Sequence, residues 1–307
     1  MTKVFIDGSA GTTGLRIHER LADRKDIELL ILPDELRKDT AARKEALHTA
    51  DIAFLCLPDD AAREAVELAE GSSVAIIDTS TAHRTEEGWE YGFSELYGRK
   101  KRIANSKRIA NPGCHASGFI ALVEPLMRAG LLNKNVNLSC FSLTGYSGGG
   151  KKMIAEYEGA ERNTLLDAPR MYGLTQQHKH LKEMTKICGM DTPPIFCPIV
   201  APFYAGMEVT VPVHAKTLGA TIKEVGEAYK AYYKDGLVKF VENADEGGFL
   251  SANAFEGRDD MQITVTGNAE RYLLIARYDN LGKGASGAAI QNMNLLLGVD
   301  EATGLIV

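Results

Sequence analysis

Lys3-Val4-Phe5-Ile6-Asp7-Gly8-Ser9-Ala10-Gly11-Thr12-Thr13-Gly14 reads as a strand, a glycine turn and the opening of a helix. Lys3–Ile6 is an apolar run of the length of one buried strand. Asp7 and Gly8 break it, glycines recur at 11 and 14, and Leu15–Leu21 has helical spacing. Glycines permit a tight turn and let the backbone approach a pyrophosphate. The first turn of the following helix then offers its unpaired N–H groups to the phosphates. Such a turn is common in parallel-sheet proteins, and its place directly after an apolar strand is what makes it a dinucleotide signal. Gly8, Ser9, Gly11, Thr12, Thr13 and Gly14 are the candidate cofactor contacts.

Outward from this turn, strands and helices alternate. Ile27–Leu32 reads as a second strand, Thr40–Thr49 as a helix and Asp51–Leu57 as a third strand stopped by Pro58. Asp59–Ala69 reads as an alanine-rich helix and Val74–Asp78 as a fourth strand. That rhythm predicts an α/β fold with a Rossmann-like, doubly wound parallel sheet. Arg99–Arg102 is a basic run, read as a solvated helix face. The Arg-Ile-Ala-Asn of 102–105 recurs at 108–111, and its second copy leads as a strand into Asn111-Pro112-Gly113-Cys114. Beyond Cys114, Phe119–Met127 is helical, with Pro125 placed to kink it. Val136–Leu143, Glu208–His214, Gln262–Thr266 and Tyr272–Arg277 alternate as strands. Thr221–Tyr233 is helical, and so is Ser286–Leu297, which Gly298 caps. The second half is therefore an α+β domain.

The 307 residues are 45% hydrophobic and 25% charged, enough for two packed domains, and carry a net charge of -6. That balance argues against nucleic-acid or acidic-membrane partners, which need a basic face. No apolar run approaches the ~20 residues of a membrane span, and Met1–Gly14 shows no secretory pattern. Five cysteines with no CxxC pair exclude a disulfide framework and point to a reducing, cytoplasmic compartment.

Asn111–His115 is the most informative stretch. Pro112 and Gly113 make a sharp turn, so Cys114 opens a helix, where the dipole favours thiolate. Thiolate attacks carbonyl or acyl-phosphate carbon. Cys56, Cys140, Cys188 and Cys197 lie in or beside apolar runs and read as small buried hydrophobes. A cysteine nucleophile on a dinucleotide fold suggests thioester formation from an acyl phosphate, followed by reduction to an aldehyde. The proton transfers call for a histidine. His178-Lys179-His180-Leu181-Lys182-Glu183 supplies two candidates. In a helix, Glu183 lies one turn from His180 and can orient it. A His-x-His metal site lacks a third ligand. His18, His48, His83, His115 and His214 read as structural or surface residues, although His115 borders the nucleophile.

Thr144–Lys152 follows a strand and reads as a loop whose consecutive N–H groups form an anion nest closed by two lysines. Ser147, Gly148, Gly149 and Lys151 are its candidate substrate contacts, with Asn111. Arg84 ends a segment that begins at the carboxyl end of the fourth strand, and is placed to clamp phosphate or carboxylate. At the end of the second strand, Asp34 would favour NAD while Arg37 and Lys38 would favour NADP. Locally that choice stays open.

Gly8–Gly14, Asp78–Arg84, Gly92–Leu96, Asn111–Cys114, Thr144–Lys151 and Asn280–Asn294 together resemble the N-acetyl-gamma-glutamyl-phosphate reductases, in their short subtype. Asn-Pro-Gly-Cys alone is shared with aspartate-semialdehyde dehydrogenases, the nearest rival. Thr144–Lys151 and the Lys283–Asn294 pattern disfavour that rival. The resemblance implies NADP(H), with Arg37 among its contacts, and reduction of N-acetyl-L-glutamyl 5-phosphate with Cys114 as nucleophile. It places a phosphate-binding arginine at Arg84. The family commonly has His-Arg-His followed by Thr-Pro-Glu. Here Lys179 replaces the arginine and Leu181-Lys182 the Thr-Pro, while both histidines and Glu183 remain. It further implies a cofactor domain of residues 1–113 and 285–307 and a catalytic and oligomerisation domain of 114–284. Asn280, Lys283 and Gly284 would stand at the cofactor, and the assembly would be a homodimer or homotetramer. A non-catalytic NADP-binding protein would leave Cys114 and the histidines idle. A dehydrogenase without a covalent step would survive loss of the thiol.

Overall fold

The computed structural model describes residues 1–307. The chain forms two compact units. The first comprises Met1–Ser94, Gly98–Pro112 and Ala285–Leu305. The second comprises Glu95–Tyr97, Gly113–Gly284 and Ile306–Val307.

The first unit holds six parallel strands: β1 (Thr2–Asp7), β2 (Ile27–Leu30), β3 (Ile52–Leu55), β4 (Ala75–Asp78), β5 (Glu90–Tyr91) and β6 (Arg108–Ala110). Their spatial order is β2-β1-β3-β4-β6-β5. β1 pairs with β2 on one side and β3 on the other. The chain thus reverses direction at the carboxyl end of β1, the position where doubly wound sheets bind ligands. The two faces of β3 show why both layers are covered. Ile52 and Phe54 pack with Ile17 and Leu21 of helix Thr12–Leu21 and with Ile290 and Met293 of helix Gly287–Leu297. Ala53 and Leu55 pack with Ala46 and Leu47 of helix Thr40–Thr49 and with Ala62 and Ala65 of helix Asp59–Leu68. A strand apolar on both faces is what a buried parallel sheet requires. Gly298 ends the last helix in the left-handed conformation. The basic run lies on helix Arg99–Ala104, and three of its four charges are paired: Lys100 meets Glu301 at 2.5 Å, and Arg99 and Arg102 pair with Glu90.

The second unit holds a mixed sheet of β7 (Ser139–Gly145), β8 (Arg170–Met171), β9 (Ile195–Ala201), β10 (Met207–His214), β11 (Val238–Phe240), β12 (Met261–Gly267) and β13 (Arg271–Tyr278). Their order is β11-β12-β13-β10-β7-β9-β8. Helix Cys114–Arg128 is buried along most of its length, and Pro125 falls within its last turn. Helix Ile222–Tyr232 begins with a full capping box of Thr221 and Glu224.

Two local readings change, and one strand goes unmarked by the sequence pattern. The strand expected over Val136–Leu143 starts at Ser139, because Val136 still closes a turn onto Asn133. Thr144–Lys152 is not a loop: residues 146–149 form one 3-10 turn and Gly150–Glu158 is a helix. The unmarked strand, β9, carries Pro198, a residue that strand interiors seldom hold. The Pro198 carbonyl accepts from Tyr172 on the side of the two-residue strand β8, so the missing N–H falls at that thinly covered edge. No helix is long and apolar enough to cross a membrane.

Candidate active site

The glycine turn lies at the carboxyl end of β1. Gly8 has φ +88°, and a Cβ there would stand 2.3 Å from the Cys56 carbonyl. A Cβ on Gly14 would stand 2.5 Å from the Gly8 carbonyl. Both close approaches require glycine. Gly11 has ordinary space and opens the helix as its N-cap. Gly8, Ser9 and Ala10 line a cavity of about 210 Å³ with Leu30–Leu32, Arg37 and Lys38. The Thr12 hydroxyl, in the helix's first turn, is buried with no protein partner. A cradle that only glycine fits, a hydroxyl lacking an acceptor and two cations at the end of β2 suit a phosphorylated dinucleotide. Arg37 presently pairs with exposed Asp34 at 2.6 Å.

After β4, residues 78–84 are held tightly. Asp78 accepts from the Ser80 N–H and hydroxyl, and its Oδ2 lies 2.6 Å from His83 Nδ1; His83 stacks on Trp89. Serine and histidine both meet the carboxylate rather than each other, so this trio holds the turn and is not a nucleophile relay. Arg84 is buried, donating from Nε to the Asn111 carbonyl at 2.9 Å and from Nη2 to the Thr79 carbonyl at 3.0 Å. Two of its five donors thus tie the ends of β4 and β6 together. Asn111 is likewise committed: its amide donates to the Ala285 carbonyl at 2.9 Å and accepts from Asn292 at 3.2 Å.

Cys114 is the first residue of its helix, half-buried, with extended Gly113 as N-cap. The Tyr278 hydroxyl donates to the Cys114 carbonyl at 2.6 Å and accepts from the Gly118 N–H at 3.0 Å. Gly284 packs against the nucleophile: a Cβ there would come within 3.1 Å of Cys114 Cβ. Glu183, buried in helix His180–Cys188, accepts from the Gly113 N–H with one oxygen at 3.1 Å. Its other oxygen lies 3.9 Å from His180 Nε2. One carboxylate therefore satisfies an orphan N–H of the cysteine's helix and faces the histidine.

His178 and His180 meet ring to ring at 4.7 Å. His115, read from sequence as structural or surface, lies at the hub of this cluster, 5.8 Å from the His178 ring and 5.7 Å from that of His180. Its Nδ1 is 2.6 Å from the Ser142 hydroxyl and its Nε2 2.6 Å from the Tyr172 hydroxyl. Burial, reinforced by His178, pushes its pKa down to about 3, so it is a neutral hydrogen-bonding bridge. Burial and then the nearby Cys114 charge push the Tyr172 pKa up, which keeps that hydroxyl protonated. Sequence reading missed Ser142, Tyr172 and Tyr278. The one signal was Ser142, a polar residue at an inward position of alternating β7. Cys56, like Cys140 and Cys188, is desolvated, and its thiol is pushed up to about 12.

The anion nest expected at 144–152 does not form from its leading residues. The N–H groups of Gly145, Tyr146 and Ser147 donate to the carbonyls of Gly206, Phe203 and Tyr204. A carbonyl-rich segment lies alongside, and it consumes the donors. Ser147 also accepts from the Asn280 amide at 3.0 Å, while Asn280 accepts from the Gly206 N–H at 2.9 Å. Lys151 is exposed on the following helix. Lys283, placed by resemblance at the cofactor, is buried with its ammonium 2.8 Å from both oxygens of Glu95. No group of three or more histidine, cysteine or carboxylate side chains is arranged to hold a metal ion.

Residues 3–105 match the family described as semialdehyde dehydrogenase, NAD binding domain, and residues 114–280 match semialdehyde dehydrogenase, dimerisation domain. The chain is 45% identical to N-acetyl-gamma-glutamyl-phosphate reductase 2 of a Nostoc species over 320 aligned positions, covering 99% of each chain. Among solved structures it resembles aspartate semialdehyde dehydrogenase II of Vibrio cholerae, with a TM-score of 0.73, 18% identity and coverage of 97% and 98% of the two chains. It also resembles aspartate semialdehyde dehydrogenase with NADP from Candida albicans, with a TM-score of 0.69, 14% identity and coverage of 97% and 98%. These two likenesses bear on the fold.

Proposed function

We propose, since this chain belongs to the N-acetyl-gamma-glutamyl-phosphate reductases of the semialdehyde dehydrogenase family, that it reduces N-acetyl-L-glutamyl 5-phosphate to N-acetyl-L-glutamate 5-semialdehyde, releasing phosphate, in arginine biosynthesis. The observation that carries the chemistry is Cys114 at a helix N-terminus whose N-cap N–H, that of Gly113, is met by Glu183, the carboxylate that faces His180.

The Cys114 thiolate attacks the acyl carbon, the C–O bond to phosphate breaks, and a thioester remains on sulfur. NADPH, when bound at Gly8–Gly14 with its 2′-phosphate toward Arg37 and Lys38, supplies the hydride. His180, oriented by Glu183 and in ring contact with His178, handles the protons. It takes the thiol proton at the start, gives it to the alkoxide that hydride addition leaves, and takes the resulting hydroxyl proton back as the C–S bond breaks to release aldehyde and regenerate thiolate. Tyr172, held protonated, donates a hydrogen bond where negative charge develops on oxygen. Gly148, Gly149 and Lys151 meet the substrate's anionic groups, and the chain works in the cytoplasm as a homodimer or homotetramer.

The test is reduced-nicotinamide formation from N-acetyl-L-glutamate 5-semialdehyde, with NADP or NAD, with and without phosphate. Phosphate-dependent activity with NADP is the expected result, and Cys114→Ser should abolish it while NADP binding persists. Retention of more than roughly a tenth of the activity in that variant sinks the covalent step. Exclusive use of aspartate semialdehyde would keep the mechanism and overturn the substrate.

A further inference from the structure

Gln176 is the one non-glycine residue in the chain with a positive φ, +57°. A long side chain there is strained by roughly 1–3 kcal/mol, and such strain persists where surrounding contacts hold it. The contacts are specific. The Gln176 side-chain amide donates to the Phe196 carbonyl at 2.7 Å, and its oxygen accepts from the Phe196 N–H at 2.9 Å.

The register of the sheet shows what this bidentate bond replaces. β8 runs antiparallel to β9 with Arg170 opposite Val200 and Met171 opposite Ile199, and the Tyr172 N–H continues the ladder to the Pro198 carbonyl. Continued, the same register would bring residue 174 opposite Phe196. The chain instead turns at Gly173, closed by the Gln176 N–H to the Gly173 carbonyl at 3.0 Å. The glutamine amide then takes the place of the missing backbone pair. The turn separates two functional groups. Tyr172, the last residue on the ladder, sends its hydroxyl to His115. His178, two residues beyond Gln176, packs its ring 5.1 Å from that of Phe196 and accepts from the His180 N–H at 3.2 Å. Phe196 is thus held by the amide on its backbone and touches His178 and His115 with its ring.

We propose that Gln176 is a positioning residue: its side-chain amide caps the free edge of β9 and thereby sets the spacing between Tyr172 and the His178–His180 pair. The proposal rests on the reading of that pair as the proton-handling group. Gln176 is exposed, and Gly accepts its backbone conformation without strain. Gln176→Gly therefore removes the amide while relieving φ, and the fold should tolerate it.

The experiment compares wild type with Gln176→Gly and Gln176→Asn, whose amide is one methylene short. It measures thermal unfolding, kcat against pH, KM for NADP and the imidazole NMR titrations of His178 and His180. Both variants should melt near the wild-type temperature and keep their KM for NADP. Their kcat should fall about tenfold or more, as expected for misplaced proton-transfer groups, with displaced pH profiles and altered His178 and His180 titrations. Wild-type kcat and a superimposable pH profile in both variants would overturn the proposal. If the wild type itself shows no activity on the phosphorylated substrate, the functional reading fails. The NMR titrations then decide the positioning role alone: unchanged curves reject it and altered curves keep it.

Discussion

Replacing Lys283 by methionine separates two uses of that residue. The resemblance puts Lys283 at the cofactor, and the structure buries its ammonium against Glu95. The side chains are 2% and 0% exposed, both N–O distances are 2.8 Å, and Glu95 Oε1 also accepts from the Leu237 N–H at 3.1 Å. Lys283→Met keeps the aliphatic stem and leaves a carboxylate buried without its main cation. Deleting one member of a buried pair costs about 3–5 kcal/mol. Both residues lie in the second unit, and for a folding unit of that size each kcal/mol lowers Tm by about 2–4 °C, so a fall of roughly 6–20 °C is expected. Glu95→Gln should cost a similar amount, and the Lys283→Met/Glu95→Gln double variant should recover much of it. Thermal unfolding followed by fluorescence measures this, and NADPH titration of the same samples measures the cofactor. NADPH affinity should stay within about twofold. A Tm change under about 2 °C with NADPH affinity weakened tenfold or more, as loss of a charged hydrogen bond of about 1.5–3 kcal/mol would produce, would refute the ion-pair reasoning.

Two further outcomes follow from the geometry. Arg37→Ala should lower kcat/KM for NADPH relative to NADH by about tenfold through loss of a charge-assisted contact. Asp34→Asn, which frees Arg37 from its 2.6 Å carboxylate, should raise that ratio only a few-fold, because an exposed pair is worth about 1 kcal/mol or less; unchanged ratios in both variants would remove Arg37 and Asp34 from the cofactor choice. His115, whose folded pKa of about 3 lies below its ordinary 6.5, contributes stability that is complete above pH 6.5 and is lost as pH falls toward 3. Urea unfolding of His115→Gln should therefore lose about 2 kcal/mol less than wild type between pH 7 and pH 5, at about 1.4 kcal/mol per pH unit of released burial, and parallel losses would show that His115 is not held neutral.

The fold was legible where local chemistry and tertiary demand coincide. β1, β3 and β4 are apolar on both faces, the helices between them carry alternating stripes, and Gly298 stops the last helix in the only conformation that favours glycine there. Legibility failed where tertiary contacts override propensity. Pro198 sits in a strand because its missing N–H falls on a nearly bare edge. Gly148 and Gly149 close a 3-10 turn and Gly150 starts a helix although glycine-rich sequence reads as loop, because Gly145–Ser147 are first anchored to residues 203–206.

The candidate site divides along the same line. Cys114 and the turn before it are contiguous, and Glu183 is one helical turn from His180, so spacing alone could pair them. His115, Ser142 and Tyr172 come from a helix, a strand and a strand end separated by 27 and 57 residues. No local period links them, and the inward position of Ser142 gave no hint of its partner. Arg84, Asn111 and Lys283 were read in the opposite direction, from charge and motif to ligand. Each is a polar side chain that the fold had to bury, and a buried donor or acceptor needs a partner whether or not a ligand is present. Backbone carbonyls and Glu95 supply those partners within the same unit. A charged residue inside a motif can thus serve the fold as well as a ligand, and Arg37, exposed beside an exposed carboxylate, can take an anion without breaking a buried contact.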